Sequence, residues 1–143
     1  MYPLPGRDWR LCVGSENTAA RNLTVGWRRL RRARLQREPS PPIFDDDYCF
    51  RIGSVARLRE GRDLLLASTG VQTTRTLEAD ELLATRGVDA SVLHCPTIKP
   101  IDEQALVEAA LATGFVVTVE VQNVLGVLGG AVAEIPPTRH PYL

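Results

Sequence analysis

Apolar residues follow two spacings after residue 50, and each spacing predicts a type of element. Residues 64–68 and 115–119 are short apolar runs, and apolar and polar residues alternate over 89–94, so each of these segments is predicted to be a strand. The 64–68 strand is predicted to be covered on both faces, because it is apolar throughout. Segments 71–86 and 102–113 have helical spacing, and each is followed by a glycine, as helices commonly are. Strands and helices therefore alternate from residue 64 to residue 119.

Two further elements extend this series. Residues 52–58 suit a short strand that ends at a turn over 60–62, and residues 130–135 suit a last short helix. Short strands that alternate with helices of 12 to 16 residues are typical of βαβ units, in which parallel strands carry helices on their faces. The pattern predicts an α/β fold with a mostly parallel sheet.

The first third of the chain lacks this regularity. Residues 1–27 show no period of two or 3.6, and residues 27–37 (WRRLRRARLQR) read either as a basic helix or as a solvated arm. Residues 1–40 hold nine arginines against three acidic residues, although the net charge of all 143 residues is zero. Without interleaved aromatic residues the arginine run does not predict a nucleic-acid site. Residues 45–47 (DDD) read as a solvated linker.

Composition narrows the class of protein. Apolar residues make up 44% of the chain and charged residues 24%, as in ordinary soluble globular proteins. Cys12, Cys49 and Cys95 are scattered, which argues against a disulfide framework and for a reducing compartment. No apolar run is long enough to span a membrane, and the first residues lack the apolar stretch of a signal peptide. The sequence predicts a cytoplasmic protein that binds neither membrane nor nucleic acid.

Two glycine-containing loops before predicted helices are candidate anion or interface loops. Ser68, Thr69 and Gly70 form the first, and Gly126 and Gly129 belong to the second. Backbone N–H groups at the start of a helix attract anions. Neither loop has the GxxxxGK[ST] or GxGxxG spacing of a nucleotide site, so turn geometry and close packing are the favoured interpretation of both.

Three polar residues near predicted strand ends are the remaining candidates for chemistry. Glu120 ends the clearest strand, at the edge where open α/β sheets place their sites; without a second catalytic group nearby, capping a helix or bonding a loop is favoured over acid–base chemistry. His94 and Cys95 are adjacent along a strand, so their side chains point to opposite faces and do not pair directly. Lys99 is interpreted as an ion-pair partner in a loop. No metal site is predicted.

From about residue 34 to residue 134 the chain resembles the transketolase family. The most specific stretch is residues 96–102, PTIKPID. The others, in chain order, are RLQRE at 34–38, PPIF at 41–44, FRIG at 50–53, LREGRD at 58–63, STG at 68–70, LEA at 77–79, TVE at 118–120, GVLG at 126–129 and Glu134. The resemblance covers the end of a pyrimidine-binding domain and most of a C-terminal domain.

The resemblance implies a three-layer α/β/α domain of about five strands. The family transfers two-carbon ketol units between sugars, as in the pentose phosphate reactions, with thiamine diphosphate and Mg²⁺. The segments that hold this cofactor are missing here, so no cofactor and no catalytic residue are predicted on this chain alone. Arg37 lies where the family has an arginine that contacts the sugar phosphate. The family has Glu-Glu-His after the last strand, whereas this chain has Glu120-Val121-Gln122 at that position and so lacks the histidine.

The predicted organisation is a basic segment over 1–33, a remnant of the pyrimidine domain and linker over 34–49, and a C-terminal-like domain over 50–143 that is truncated at its end. One hypothesis is a subunit that supports assembly, with a second chain supplying the diphosphate and pyrimidine domains. The alternatives are a non-catalytic remnant and an interaction or anion-binding regulatory domain. The parent enzyme is a transketolase, a dehydrogenase β subunit or a deoxyxylulose-phosphate synthase. An uncovered sheet edge predicts self-association.

Overall fold

The computed structural model describes residues 10–12, 41–121 and 127–135. The chain divides into two units, Met1–Arg51 and Ile52–Leu143. In the first unit, strand β1 (Arg10–Cys12) pairs antiparallel with β2 (Cys49–Arg51). The predicted basic helix over 27–37 lies outside the described residues.

The second unit is built on a mixed sheet. Its strands are β3 (Ala56–Arg59), β4 (Leu64–Ser68), β5 (Ala90–His94) and β6 (Val116–Val119), in the spatial order β3-β5-β4-β6. β4 lies between β5 and β6 and is parallel to both, whereas β3 is antiparallel to β5. The prediction of an α/β fold with a mostly parallel sheet is confirmed. The described residues form four strands in this sheet, where about five were predicted.

The start of the sheet differs from the sequence prediction. Residues 52–55 are not in the strand, because long-range hydrogen bonds hold them: the Gly53 N–H donates to Thr97 Oγ1 at 2.9 Å, and the Val55 N–H donates to Asp102 Oδ2 at 3.2 Å. β3 and β4 follow each other in the sequence but do not pair, since β5 lies between them. These contacts join residues more than 40 positions apart, which no local pattern reveals.

In the part of the chain that the structure describes, three helices flank the sheet: α1 (Gln72–Ala84), α2 (Glu103–Thr113) and α3 (Leu128–Ala133). The Asp102 carboxylate caps α2 by accepting the Ala105 N–H at 3.2 Å, as its position predicts. Gly114, with φ 78°, follows α2, and Gly87, with φ 79°, follows α1, both in the left-handed region that glycine adopts without strain. The last helix begins two residues earlier than predicted.

The helices cover both faces of the sheet, which gives three layers. Because strand side chains alternate, Leu66 and Val92 pack towards α1, while Leu65 and Leu93 pack towards α2 and α3. The α1 side consists of Leu66, Ala90 and Val92, packed with Leu58, Leu64, Leu77 and Leu83. The α2–α3 side is larger and consists of Leu65, Ala67, Leu93, Cys95, Leu106, Val107, Ala109, Ala110, Leu128 and Ile135.

A tight turn joins β3 to β4. The Asp89 carbonyl accepts two backbone N–H groups, from Arg62 at 2.9 Å and Asp63 at 2.8 Å, so the chain at Gly61 is pressed against the start of β5. A Cβ atom at Gly61 would overlap the backbone of Ala90 and lie 2.6 Å from the Asp89 carbonyl oxygen. This turn therefore requires glycine. Among the described residues, no helix is long and apolar enough to cross a membrane.

Candidate functional site

The carboxyl ends of β4, β5 and β6 meet at one edge of the sheet, because the three strands are parallel. Ligands of open α/β sheets bind outside this edge. Ser68, His94 and Val119 end the three strands, and Glu120 follows the last of them. The candidate site is therefore the row of polar groups that these strand ends bring together.

A buried hydrogen-bonded chain links β4, α1 and β5. The Ser68 hydroxyl lies 3.0 Å from the Thr73 hydroxyl, which lies 2.7 Å from Nδ1 of His94. Ser68 Oγ is also 3.2 Å from the Leu93 carbonyl oxygen. Ser68 and Thr73 are completely buried, and His94 is 8% exposed. Thr73 carried no signal in the sequence, because a threonine in a first helical turn is commonplace; only the fold brings it to the histidine.

Burial sets the charge of His94. It lowers the histidine pKa from 6.5 to about 4, because the protonated ring loses its hydration inside the domain. The imidazole is therefore neutral near pH 7 and is held against α1 by Thr73. This arrangement suits a structural role, since an acid–base catalyst operates with a pKa near the working pH.

Cys95 and His94 point to opposite sides of the sheet, as the strand alternation predicted. The Cys95 side chain is fully buried within the α2–α3 side of the core. Burial, helped by the negative charge of Asp102, raises the pKa of the Cys95 thiol to about 12. Its carbonyl oxygen accepts the Thr69 hydroxyl at 2.7 Å. A thiol in this state is a weak nucleophile.

Glu120 holds the start of α3. Its carboxylate accepts the Leu128 N–H at 2.9 Å through Oε2 and the Gly129 N–H at 3.0 Å through Oε1. Negative charge at a helix start is favourable because the first N–H groups have no partner within the helix. An external anion at Gly129 would have to displace this carboxylate.

The other candidate residues lie apart from this row or outside the described residues. Gly70 is exposed, with φ 58° at the turn into α1, and its carbonyl accepts the Thr73 N–H at 3.2 Å. Lys99 is exposed and lines a shallow cleft that Glu134 also lines. Arg37 and Gly126 are not among the described residues. Within the described ranges, no group of three His, Cys, Asp or Glu side chains is placed to hold a metal ion.

The layer order, strand order and capped helices define a class of protein, the α/β/α domains with a mixed, mostly parallel sheet. Residues 53–138 match the family model of the transketolase C-terminal domain. This match covers more than half of the chain, so the chain belongs to the transketolase family.

Similar proteins agree on this family. A 6-deoxy-6-sulfo-D-fructose transketolase subunit, SqwH, from Clostridium sp. (strain MSTE9) is 43% identical over 101 residues, which are 71% of this chain and 31% of that protein. The putative uncharacterized transketolase family protein y4mN of Sinorhizobium fredii is 47% identical over 102 residues, 70% of this chain and 30% of that protein. The chain spans about a third of the length of these curated relatives.

A solved structure supports the same fold. It is described as a split gene transketolase, an inactive beta4 tetramer. Its TM-score is 0.69 at 39% sequence identity, and the likeness covers 73% of this chain and 34% of that one. The identity and TM-score together confirm the resemblance to the C-terminal domain that the sequence motifs indicated.

Proposed function

We propose that this chain supports the assembly of a transketolase-type enzyme and does not itself carry the chemistry. It acts as the C-terminal part of a subunit, within a proposed domain of residues 50–143 that follows a linker over 34–49 and a basic segment over 1–33. Other domains, on a second chain or a longer form of this one, supply the diphosphate and pyrimidine sites. The family's reaction, transfer of two-carbon ketol units, belongs to that assembly.

One observation carries this proposal: the polar groups at the carboxyl edge of the sheet bond to the domain's own elements. Glu120 accepts two N–H groups of α3, and the Ser68–Thr73–His94 chain joins strands to a helix. These contacts fix the helices on the sheet. Catalytic groups instead present reacting atoms to a substrate within hydrogen-bonding reach.

The described residues do not fit the family's cofactor. Magnesium takes oxygen ligands in octahedral geometry, usually with carboxylates among them, and these residues contain no suitable acidic cluster. Thiamine diphosphate and Mg²⁺ are therefore assigned to the diphosphate and pyrimidine domains of the complete enzyme.

The partners that we propose are a chain with the diphosphate and pyrimidine domains and a second copy of this chain. The solved relative described as a beta4 tetramer favours self-association, and the curated relative called a transketolase subunit favours a companion chain. Arg37 is kept as a proposed sugar-phosphate contact of the assembled enzyme. A reducing, cytoplasmic location is also proposed, supported by the scattered spacing of the three cysteines along the chain.

A second candidate function is anion binding by an interaction or regulatory domain. The observation that favours it is the start of α1, where no side chain caps the helix and the exposed Gly70 leads into it. The Thr73 N–H bonds to the Gly70 carbonyl, and the other N–H groups of a first helical turn attract anions. In this reading Ser68 and Thr69 shape the loop, while their hydroxyls remain bonded within the domain.

Calorimetric titration with thiamine diphosphate and Mg²⁺ tests the main proposal. The purified chain is titrated alone and then together with a chain that carries the diphosphate and pyrimidine domains. Binding only in the mixture, with ketol transfer, is expected. Binding by the chain alone would contradict the proposal, as would a mixture in which no complex forms. Binding of inorganic phosphate or a sugar phosphate to the chain alone, lost in a Gly70→Val variant, would favour the second function.

A further inference from the structure

Two of the three cysteines occupy opposed positions in the strand pair of the first unit. β1 and β2 pair antiparallel, and the register places Cys12 directly opposite Cys49. Residues 13–48 separate the two cysteines along the chain, so their spacing in the sequence gives no sign of this. Positions that are opposed in an antiparallel pair lie on the same face of it. The fold therefore creates a possible disulfide site from residues that look unrelated in the sequence.

The distances that this register imposes suit a disulfide. Opposed Cα atoms of an antiparallel pair are about 5.5 Å apart where the two residues exchange hydrogen bonds, and about 4.5 Å apart where they do not. Disulfides join cysteines whose Cα atoms are about 4.4–6.8 Å apart. Both kinds of position lie within this range, so residues 12 and 49 can be joined without sliding one strand along the other.

The exposure of the cysteines decides which of them meets a reagent in solution. Cys49 and Arg51 are exposed, and Phe50 between them is half-buried. Cys95 is completely buried in the α2–α3 side of the core. Because a thiol has to be accessible to an oxidant in order to react, Cys49 is the residue that starts the reaction and Cys95 does not compete with it.

The β1–β2 pair has few interactions of its own that would hold it together. It consists of two strands of three residues each, and Arg10 lies directly opposite Arg51. Like charges at opposed positions are destabilising, and two-stranded ribbons are marginally stable in water. A covalent bond between residues 12 and 49 fixes this register and closes residues 13–48 into a loop. The strength of the pairing therefore depends on whether the bond is present.

We propose that Cys12 and Cys49 form a reversible disulfide, which fixes the β1–β2 pair when a low-molecular-weight disulfide such as glutathione disulfide accumulates. The Cys49 thiolate attacks one sulfur of the oxidant, which gives a mixed disulfide and releases one glutathione. The Cys12 thiolate then attacks the Cys49 sulfur, which forms the bond between the two cysteines and releases the second glutathione. The two cysteines lose two electrons to the oxidant, and their two protons pass to the released glutathione molecules.

A reversible pair of this kind is compatible with a reducing compartment. Disulfides that form there are usually transient and redox-sensing. The pair is reduced while the glutathione pool is reduced, and it becomes linked as the pool is oxidised. The inference concerns β1 and β2 alone, so it does not depend on the assembly role proposed above.

Equilibration of the full chain in glutathione redox buffers tests the site. In a Cys95→Ser background, tryptic digestion without reductant should yield residues 11–21 linked to residues 38–51, detected by mass spectrometry. The equilibrium constant for this link should be at least tenfold higher in the folded chain than in urea, because the unfolded chain has to close a long loop first. A matched control combines Cys12→Ser with Leu11→Cys, which moves the thiol to the other face of β1. This control should lose the advantage of the folded chain.

Amide hydrogen exchange tests whether the bond fixes the pairing. Oxidation should slow exchange over residues 10–12 and 49–51 at least tenfold, leave β4 unchanged and be reversed by dithiothreitol. Four results would each overturn the proposal: equal equilibrium constants in the folded and the unfolded chain, equal linkage in the displaced-cysteine control, disulfides between chains in place of the internal one, and exchange that oxidation does not alter. A failure to bind cofactor or companion chain leaves these readouts unaffected.

Discussion

The buried histidine makes the stability of the domain depend on pH, and the size of the effect follows from its surroundings. Burial moves the His94 pKa from 6.5 to about 4 in the folded domain, and one pKa unit corresponds to about 1.4 kcal/mol. The unfolded chain therefore binds a proton more readily than the folded domain does. Stability is complete above about pH 6.5 and is lost as the pH falls towards 4, by about 3 kcal/mol in all.

Urea unfolding at several pH values, followed by circular dichroism, measures this loss. Between pH 7.5 and pH 5 the histidine should contribute about 2 kcal/mol of the decrease in the free energy of unfolding. His94→Asn cannot titrate in this range, and its amide, which has both a donor and an acceptor, can still bond to the Thr73 hydroxyl in place of Nδ1. The difference in slope between wild type and His94→Asn isolates the histidine from the carboxylates, which titrate in both proteins.

A second variant separates burial from hydrogen bonding. Thr73→Val removes the hydroxyl that lies 2.7 Å from Nδ1 but keeps the ring buried, so it should lower stability by about 1–3 kcal/mol at every pH and keep most of the pH slope. Equal slopes in wild type and His94→Asn would refute the reasoning, because they would mean that the histidine is hydrated in the folded domain.

Three further predictions concern the cap, the turn and the buried thiol. Glu120→Gln should destabilise the domain by about 1–3 kcal/mol, because one of the two N–H groups of α3 that it accepts loses its acceptor. Glu134→Gln, on the exposed surface, should change the free energy of unfolding by less than about 0.5 kcal/mol. Equal losses for the two variants in urea unfolding would contradict the capping role of Glu120. Gly61→Ala should lower the free energy of unfolding by about 3 kcal/mol, because the added Cβ overlaps with backbone atoms. Gly87→Ala should lower it by only about 1 kcal/mol, because a Cβ there meets nothing within 4 Å, although φ is 79°. Similar melting temperatures for the two variants would argue against the close approach of Gly61 to the backbone of Ala90. Cys95 should react with thiol reagents only after unfolding, since it is fully buried and burial raises its pKa to about 12. If the folded Cys95→Ser variant took up less label than the folded wild-type chain, this prediction would be disproved.

The elements that were predicted correctly are those whose bounds are signalled by residues next to them in the sequence. β4 was predicted at its observed bounds because a run of apolar residues between a turn and Gly70 allows little else. Asp102 and Gly114 likewise marked both ends of α2, through a capping carboxylate and a left-handed residue. Such signals lie within a few residues of the structure that they specify.

The features that the sequence missed depend on distant partners. Residues 52–55 looked like the start of a strand, yet their N–H groups bond to Thr97 and Asp102. The pairing of β3 with β5 follows from the sheet order and not from the short connection between β3 and β4. In the candidate site, Glu120 was identified at its strand end, but its bond to Leu128 and the link between Thr73 and His94 became visible only in the fold.

The central position of β4 has a consequence for synthesis on the ribosome. Four of the five residues of β4 are buried, and both of its neighbours, β5 and β6, come later in the chain. Because the ribosome releases the N-terminal part of the chain first, Leu65 and Leu66 leave the exit tunnel before β5 or β6 has emerged. The nascent domain therefore stays open, with this apolar segment accessible to chaperones, until residue 119 has emerged and β6 can close the second side.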